Sequence, residues 1–244
     1  VVSDAATLNG DVTTTGTQTY QGAVTLSGGN RELAGTTVTT QSTVDGGAAD
    51  LTITGDADID GAVTNVANLD ITGVSNVGAN VTTTGTQTYQ GALTLSGGSR
   101  DLTGTTITTQ STVDGGAADL TITGDADIGG AVTNMANLDI TGTANVGADV
   151  TTTGTQTYQG ALTLSGGNRD LTGTTVNTQS TVDGGAADLT ITGDADIGGA
   201  VTNVANLDIT GASNVGANVT TTGTQTYQGA LTLSGGNRDL TGTT

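Results

Sequence analysis

The feature that most constrains this chain is an internal period of 69 residues. The segment TGTQTYQGA recurs around Tyr20, Tyr89, Tyr158 and Tyr227, and Arg31, Arg100, Arg169 and Arg238 recur at the same step. The stretch TVDGGAADLTITGDADI begins at Thr43, Thr112 and Thr181. Residues 12–80 and 81–149 differ at ten positions, mostly conservatively, as in Val24/Leu93, Glu32/Asp101, Val38/Ile107 and Val66/Met135. Copies this close to identity are one structural unit reused, because domains with separate tasks drift apart.

The unit has an inner grain of six. From Leu51 it reads LTITGD, ADIDGA, VTNVAN, LDITGV, SNVGAN, VTTTGT, QTYQGA, LTLSGG, SRDLTG, TTITTQ, STVDGG, with AAD left over. Gly holds the fifth place in seven of these eleven hexads: Gly55, Gly61, Gly73, Gly85, Gly91, Gly97 and Gly115. The third place is apolar in eight, and the second and fourth are mostly Thr, Asp, Asn or Ser. Alternate residues of a strand face the same way, so the first and third places share one face. Gly then allows a corner that other residues resist. Each hexad therefore reads as one short strand and one corner, and three such sides close a coil.

The expected fold is all-β, a right-handed parallel β-solenoid of about 17–23 residues per coil, with three to four coils per repeat. Four coils of about 17 residues are preferred, since 69 residues then divide into triangular turns. Two inward apolar columns follow: Ile53, Ile71, Tyr89 and Ile107, and Ile59, Val77, Leu95 and Val113. A third, less regular one runs Val63, Val81, Leu102. The AAD remainder marks one interruption of the stacking per repeat. In domain terms, residues 1–11 are a divergent leading coil or array boundary. Residues 12–80, 81–149 and 150–218 are repeats, and 219–244 is a partial fourth, all in one continuous solenoid.

Composition supports this. There is no Pro, Phe, Trp, Cys or His, no Lys, and Gly is 41 of 244 residues. A string of immunoglobulin-like sandwiches needs larger units and a fuller two-sheet core. The formal charge of −19 leaves no basic surface for phosphate, so a nucleic-acid partner is not expected. No apolar run reaches membrane-spanning length, so this segment is not expected to insert in a membrane.

The run VTTTGTQTYQGAVTLSGGNRELAGTTVTTQSTVDG, followed by ADLTITGDADI, resembles the β-helical repeat regions of large secreted bacterial surface proteins. The filamentous-haemagglutinin-like exoproteins and autotransporter-passenger adhesins are the nearest in style. The resemblance covers nearly the whole chain and rests on repeat style and composition. It implies export, an extracellular or cell-surface location and a role as adhesin, stalk or filament, and it carries no catalytic residues.

The chemistry of the residues points the same way. Without His, Cys or Lys there is no ordinary base or activated nucleophile, so no enzymatic activity or catalytic residue is expected. Asp56, Asp58 and Asp60 are the densest acidic group and the weak calcium candidates, since hard cations take carboxylate oxygens. Asp60 becomes Gly129 and Gly198 in later copies, and GGAADLTI at Gly46 is an imperfect calcium-nonapeptide match. Thr52/Thr54, Asp70/Thr72, Thr88/Gln90 and Thr106/Thr108 are too mixed for an ice-binding face. Sequons stand at Asn80 and Asn218 but are lost at Asp149. The recurring Arg–Asp pairs, Arg100/Asp101 and Arg169/Asp170, suggest a lateral stripe of charge along a rod.

The reading is thus a structural extracellular filament or adhesin stalk, self-associating end-to-end or laterally or continuing in a longer chain, and touching a host or neighbouring cell. The alternative is a calcium- or glycan-binding repeat module of a secreted protein. No cofactor other than calcium comes into question.

Overall fold

The computed structural model describes residues 1–243. It is all-β, with no helix among the described residues. Its short strands pair in parallel with the strands one turn on, which is the stacking of a β-solenoid. The chain divides into two compact units, Val1–Gly124 and Asp125–Thr244.

In the first unit three columns of inward side chains define three sides. On one side Val12, Leu33, Ile53, Ile71 and Tyr89 stack in register. On the next, Tyr20, Thr40, Ile59, Val77 and Leu95 stack. On the third, Ala6, Val24, Val44, Val63, Val81 and Leu102 stack. Each turn takes 18 to 21 residues. The alternation read from the hexads is visible directly: Leu51–Ile59 buries Leu51, Ile53, Ala57 and Ile59 and turns Thr52, Thr54, Asp56 and Asp58 outward.

The second unit repeats the scheme. Val132, Val150, Leu171, Ile191, Ile209 and Tyr227 form one column. Ala126, Ala144, Leu162, Val182, Val201, Val219 and Leu240 form another.

The preferred count of four coils per repeat is corrected. In the first unit Leu33 lies in the Ile53 column, whereas Leu102, one period later, lies in the Val63 column. In the second unit Leu171 and Leu240 are likewise on different sides. Eleven strand-and-corner segments at three to the turn make three and two-thirds turns, so every repeat lands on a neighbouring side. The turns average more than 17 residues because some corners are long.

Two column assignments shift for the same reason. Tyr89 pairs with Thr109, and Ile107 pairs with Gln87. Val113 pairs with Leu93 and not with Leu95. The corner Ser96–Arg100, turning through Gly97 at φ 71° and Gly98 at φ 114°, is two residues longer than a hexad corner. Every strand after it starts two places late. The first three members of each expected column hold.

The AAD remainder is a corner too. Ala48 adopts φ 66° and its N–H donates to Asn65 O at 2.6 Å. Ala49 is buried and accepts from Ala67 N–H at 2.8 Å. Gly55, at φ 119°, marks the tightest packing: a Cβ there would sit 1.9 Å from Gly35 O on the preceding turn.

The core is a single file of side chains per side, so burial alone is modest. An interior Ile, Leu or Val contributes about 1.5–3 kcal/mol. The remainder of the cohesion comes from backbone ladders and from polar side chains that cross between turns.

Candidate functional site

The acidic candidates lie on one strand and its corner. Asp56 and Asp58 alternate with the inward Ala57 and Ile59, which turns both carboxylates outward. Each is tied to the next turn. Asp56 Oδ1 accepts from Val74 N–H at 2.9 Å, and Asp58 Oδ1 accepts from Asn76 Nδ2 at 2.8 Å. Asp60 is exposed at the corner beside Gly78. Among the described residues no three acidic side chains gather closely enough to hold a metal ion. The same strand in the third repeat borders a shallow surface groove of about 290 Å³, lined by Thr175, Asp194, Asp196, Ala212, Asn214 and Thr232. There too Asp194 accepts from Ala212 N–H and Asp196 from Asn214 Nδ2, both at 2.8 Å.

The GGAAD candidate is a folded corner. Asp45 Oδ1 accepts from Gly47 N–H at 3.0 Å and from Asn65 Nδ2 at 3.2 Å. Asp50 Oδ1 accepts from the backbone and side-chain nitrogens of Asn68 at 3.1 and 2.7 Å, while Asp50 Oδ2 accepts from Asn30 Nδ2 at 2.7 Å. Asn68 Oδ1 in turn accepts from Thr86 N–H at 2.9 Å. This Asn–Asp–Asn–Thr ladder places an amide on each side of the carboxylate, which separates like charges between turns.

The sequon residues serve the same purpose. Asn80 Oδ1 accepts from Asp101 N–H and its Nδ2 donates to Asp101 Oδ2, each at 3.1 Å. Asn218 accepts from Asp239 N–H at 3.1 Å. The outward Thr residues stand in a mixed file: Glu32, Thr52, Asp70 and Thr88 follow one another across turns.

The arginines do not form a stripe. Arg31 and Arg100 lie on different sides, following Leu33 and Leu102. Their guanidinium groups fold back onto carbonyls. Arg100 Nε donates to Val77 O at 3.4 Å and Nη1 to Ser99 O at 2.7 Å, and Nη2 donates to Ser96 O. Arg31 grips Leu8, Asn30 and Ser27, and Arg169, only 9% exposed, grips Val146, Asn168 and Ser165. Each arginine closes the long Ser–Gly–Gly corner as an internal cation. With no Lys or His in the chain, the outward surface is left to carboxylates, amides and hydroxyls.

One polar constellation escapes a reading based on apolar places. Gln87 is fully buried beside Tyr89. Its Oε1 accepts from Tyr89 Oη at 2.9 Å, and its Nε2 donates to Val81 O and Thr103 O at 3.1 and 2.8 Å. Gln156 with Tyr158 repeats this at 3.0 Å. The signal was present: Gln87 holds the first place of its hexad, which faces inward. Burial pushes the Tyr89 and Tyr158 hydroxyls far above the ordinary phenol range. This is a structural lock with no opening to solvent.

No protein-family model, no curated protein and no solved structure matches the chain.

Proposed function

We propose that this chain is a segment of a structural filament or adhesin stalk, displayed outside a bacterial cell and working by the length its stacked turns make. The observation that supports the reading is where the polar side chains go. Asp50, Asp56, Asn68, Asn80 and three of the arginines all hold one turn to the next. A repeat whose polar groups hold its own turns together serves extension better than chemistry. Self-association or continuation in a longer chain would then lengthen the fibre. The test is imaging of native material with fibre diffraction. Continuous thin rods with an axial repeat of about 4.8 Å are expected, and beads on a string would sink the proposal. Labelling of intact cells with an antibody to the repeat checks the surface location.

A second reading, a calcium- or glycan-binding module, is favoured by the groove over Asp194 and Asp196. Melting with and without a calcium chelator separates the two. A large shift supports ion binding, and coincident curves support the filament alone.

A further inference from the structure

We propose that Asn9 is a site of spontaneous deamidation and backbone isomerisation, a slow modification that loosens the turn it belongs to. Asn9–Gly10 is the one Asn-Gly dipeptide in the chain. Both residues are exposed, in the bend between Ala6–Leu8 and Val12–Thr13. Nothing lies within 4 Å of where a Gly10 Cβ would be, and among the described residues nothing accepts from the Gly10 N–H. That freedom belongs to the corner and not to its place in the chain. The equivalent residues Ala79, Ala148 and Ala217 also have N–H groups without a partner among the described residues.

The other acid-glycine dipeptides provide the contrast. Gly46 N–H, after Asp45, donates to Thr64 O at 2.8 Å, and Gly184 N–H, after Asp183, donates to Thr202 O at 2.9 Å. Gly61 N–H, after Asp60, donates to Thr40 O at 3.1 Å. Those nitrogens are held by the neighbouring turn and cannot reach the preceding side chain.

At Asn9 the Gly10 backbone nitrogen, losing its proton, attacks Asn9 Cγ. The new N–Cγ bond closes a five-membered imide, and the Cγ–Nδ2 bond breaks to release ammonia, which carries the proton away. Water then opens the imide at one of its two carbonyls. Opening at Cγ leaves Asp at position 9. Opening at the backbone carbonyl leaves an isoaspartyl link, with Cβ and Cγ now in the main chain. No oxidant or cofactor is needed. Gly at position 10 matters because only a residue without Cβ swings freely into the conformation the attack requires.

The consequence is local. Leu8 O accepts from Ser27 N–H at 3.0 Å and from Arg31 Nε at 3.1 Å, and Asp11 Oδ1 accepts from Glu32 N–H at 2.9 Å. An extra methylene between Leu8 and Asp11 pulls these anchors out of register.

The test is to age the purified chain in mildly alkaline buffer and follow it by peptide mapping and hydrogen exchange. Expected are amide-to-acid conversion confined to the Asn9 peptide, a majority of isoaspartate, and faster exchange at Ser27 and Glu32. Gly10→Ala keeps the fold, since Ala occupies the equivalent corner positions, and slows conversion roughly tenfold or more. Conversion first at Asn80 or Asn218, no conversion at Asn9, or an unchanged rate in Gly10→Ala would overturn the proposal.

Discussion

The Tyr89 hydroxyl donates a 2.9 Å hydrogen bond to Gln87 Oε1, two residues back on the same strand, with both side chains fully buried. The two side chains share the inward face of Thr86–Tyr89, and Gln87 passes the contact on to Val81 O and Thr103 O. The motif therefore ties together a corner and the turn beyond it. Tyr89→Phe leaves Gln87 Oε1 buried without its donor, and a loss of about 1–3 kcal/mol in urea unfolding is expected. The same change at Tyr227, where the pair is only half-buried, is expected to cost less.

Alkaline pH is the second lever. Burial raises Tyr89 and Tyr158 from the ordinary value of 10.0. Above that value the unfolded chain loses phenolic protons that the folded chain keeps, so stability is full below it and falls as pH rises through it. The expected slope is about 1.4 kcal/mol per pH unit for each buried tyrosine. Denaturant midpoints measured on both sides of the phenol range check this, and the double variant Tyr89→Phe/Tyr158→Phe should flatten the curve.

Replacing Arg100 tests its part as an internal cation. Arg100→Met strips the donors from Val77 O, Ser96 O and Ser99 O while keeping much of the stem. A destabilisation of about 1.5–3 kcal/mol is expected, the usual range for hydrogen bonds to a charged group. Light scattering should show self-association no different from the parent, because the side chain serves its own corner.

Ser75 and Ser213 carry buried hydroxyls with no partner, and the repeat between them has Ala144 at this place. Ser75→Ala is expected to leave stability unchanged or raise it by about 1 kcal/mol, since it removes an unmatched polar group. Thermal melting of the variant against the parent decides it.

Gly55→Ala is expected to be severe. The added methyl would meet Gly35 O at 1.9 Å, with the backbone at φ 119°. A loss above about 3 kcal/mol, or failure to fold, is the expected result in circular dichroism.

Much of this was legible in the sequence because two local rules suffice for it. Strand alternation placed Ile53, Ile71 and Tyr89 inside, and Ile59, Val77 and Leu95 inside on the next side. The acidic residues were legible as outward for the same reason. Their partners were not: Asp58 meets Asn76, and Asp50 meets both Asn30 and Asn68, only because corner lengths put those residues one turn away.

By itself the sequence determined that the chain is a repeat of short strands and glycine corners, with one face of each strand apolar. Period and alternation are properties of neighbouring residues, and no distant contact is needed to set them. The tertiary structure alone decided the count of turns. Two extra residues at the Ser96–Arg100 corner moved Thr109 under Tyr89 and Val113 under Leu93. Eleven sides then cannot divide by three, so Leu33 and Leu102 face different ways. How many residues a corner absorbs depends on what the next turn offers to bond with. That is why the arginines, spaced so regularly along the chain, became separate internal locks and not a stripe.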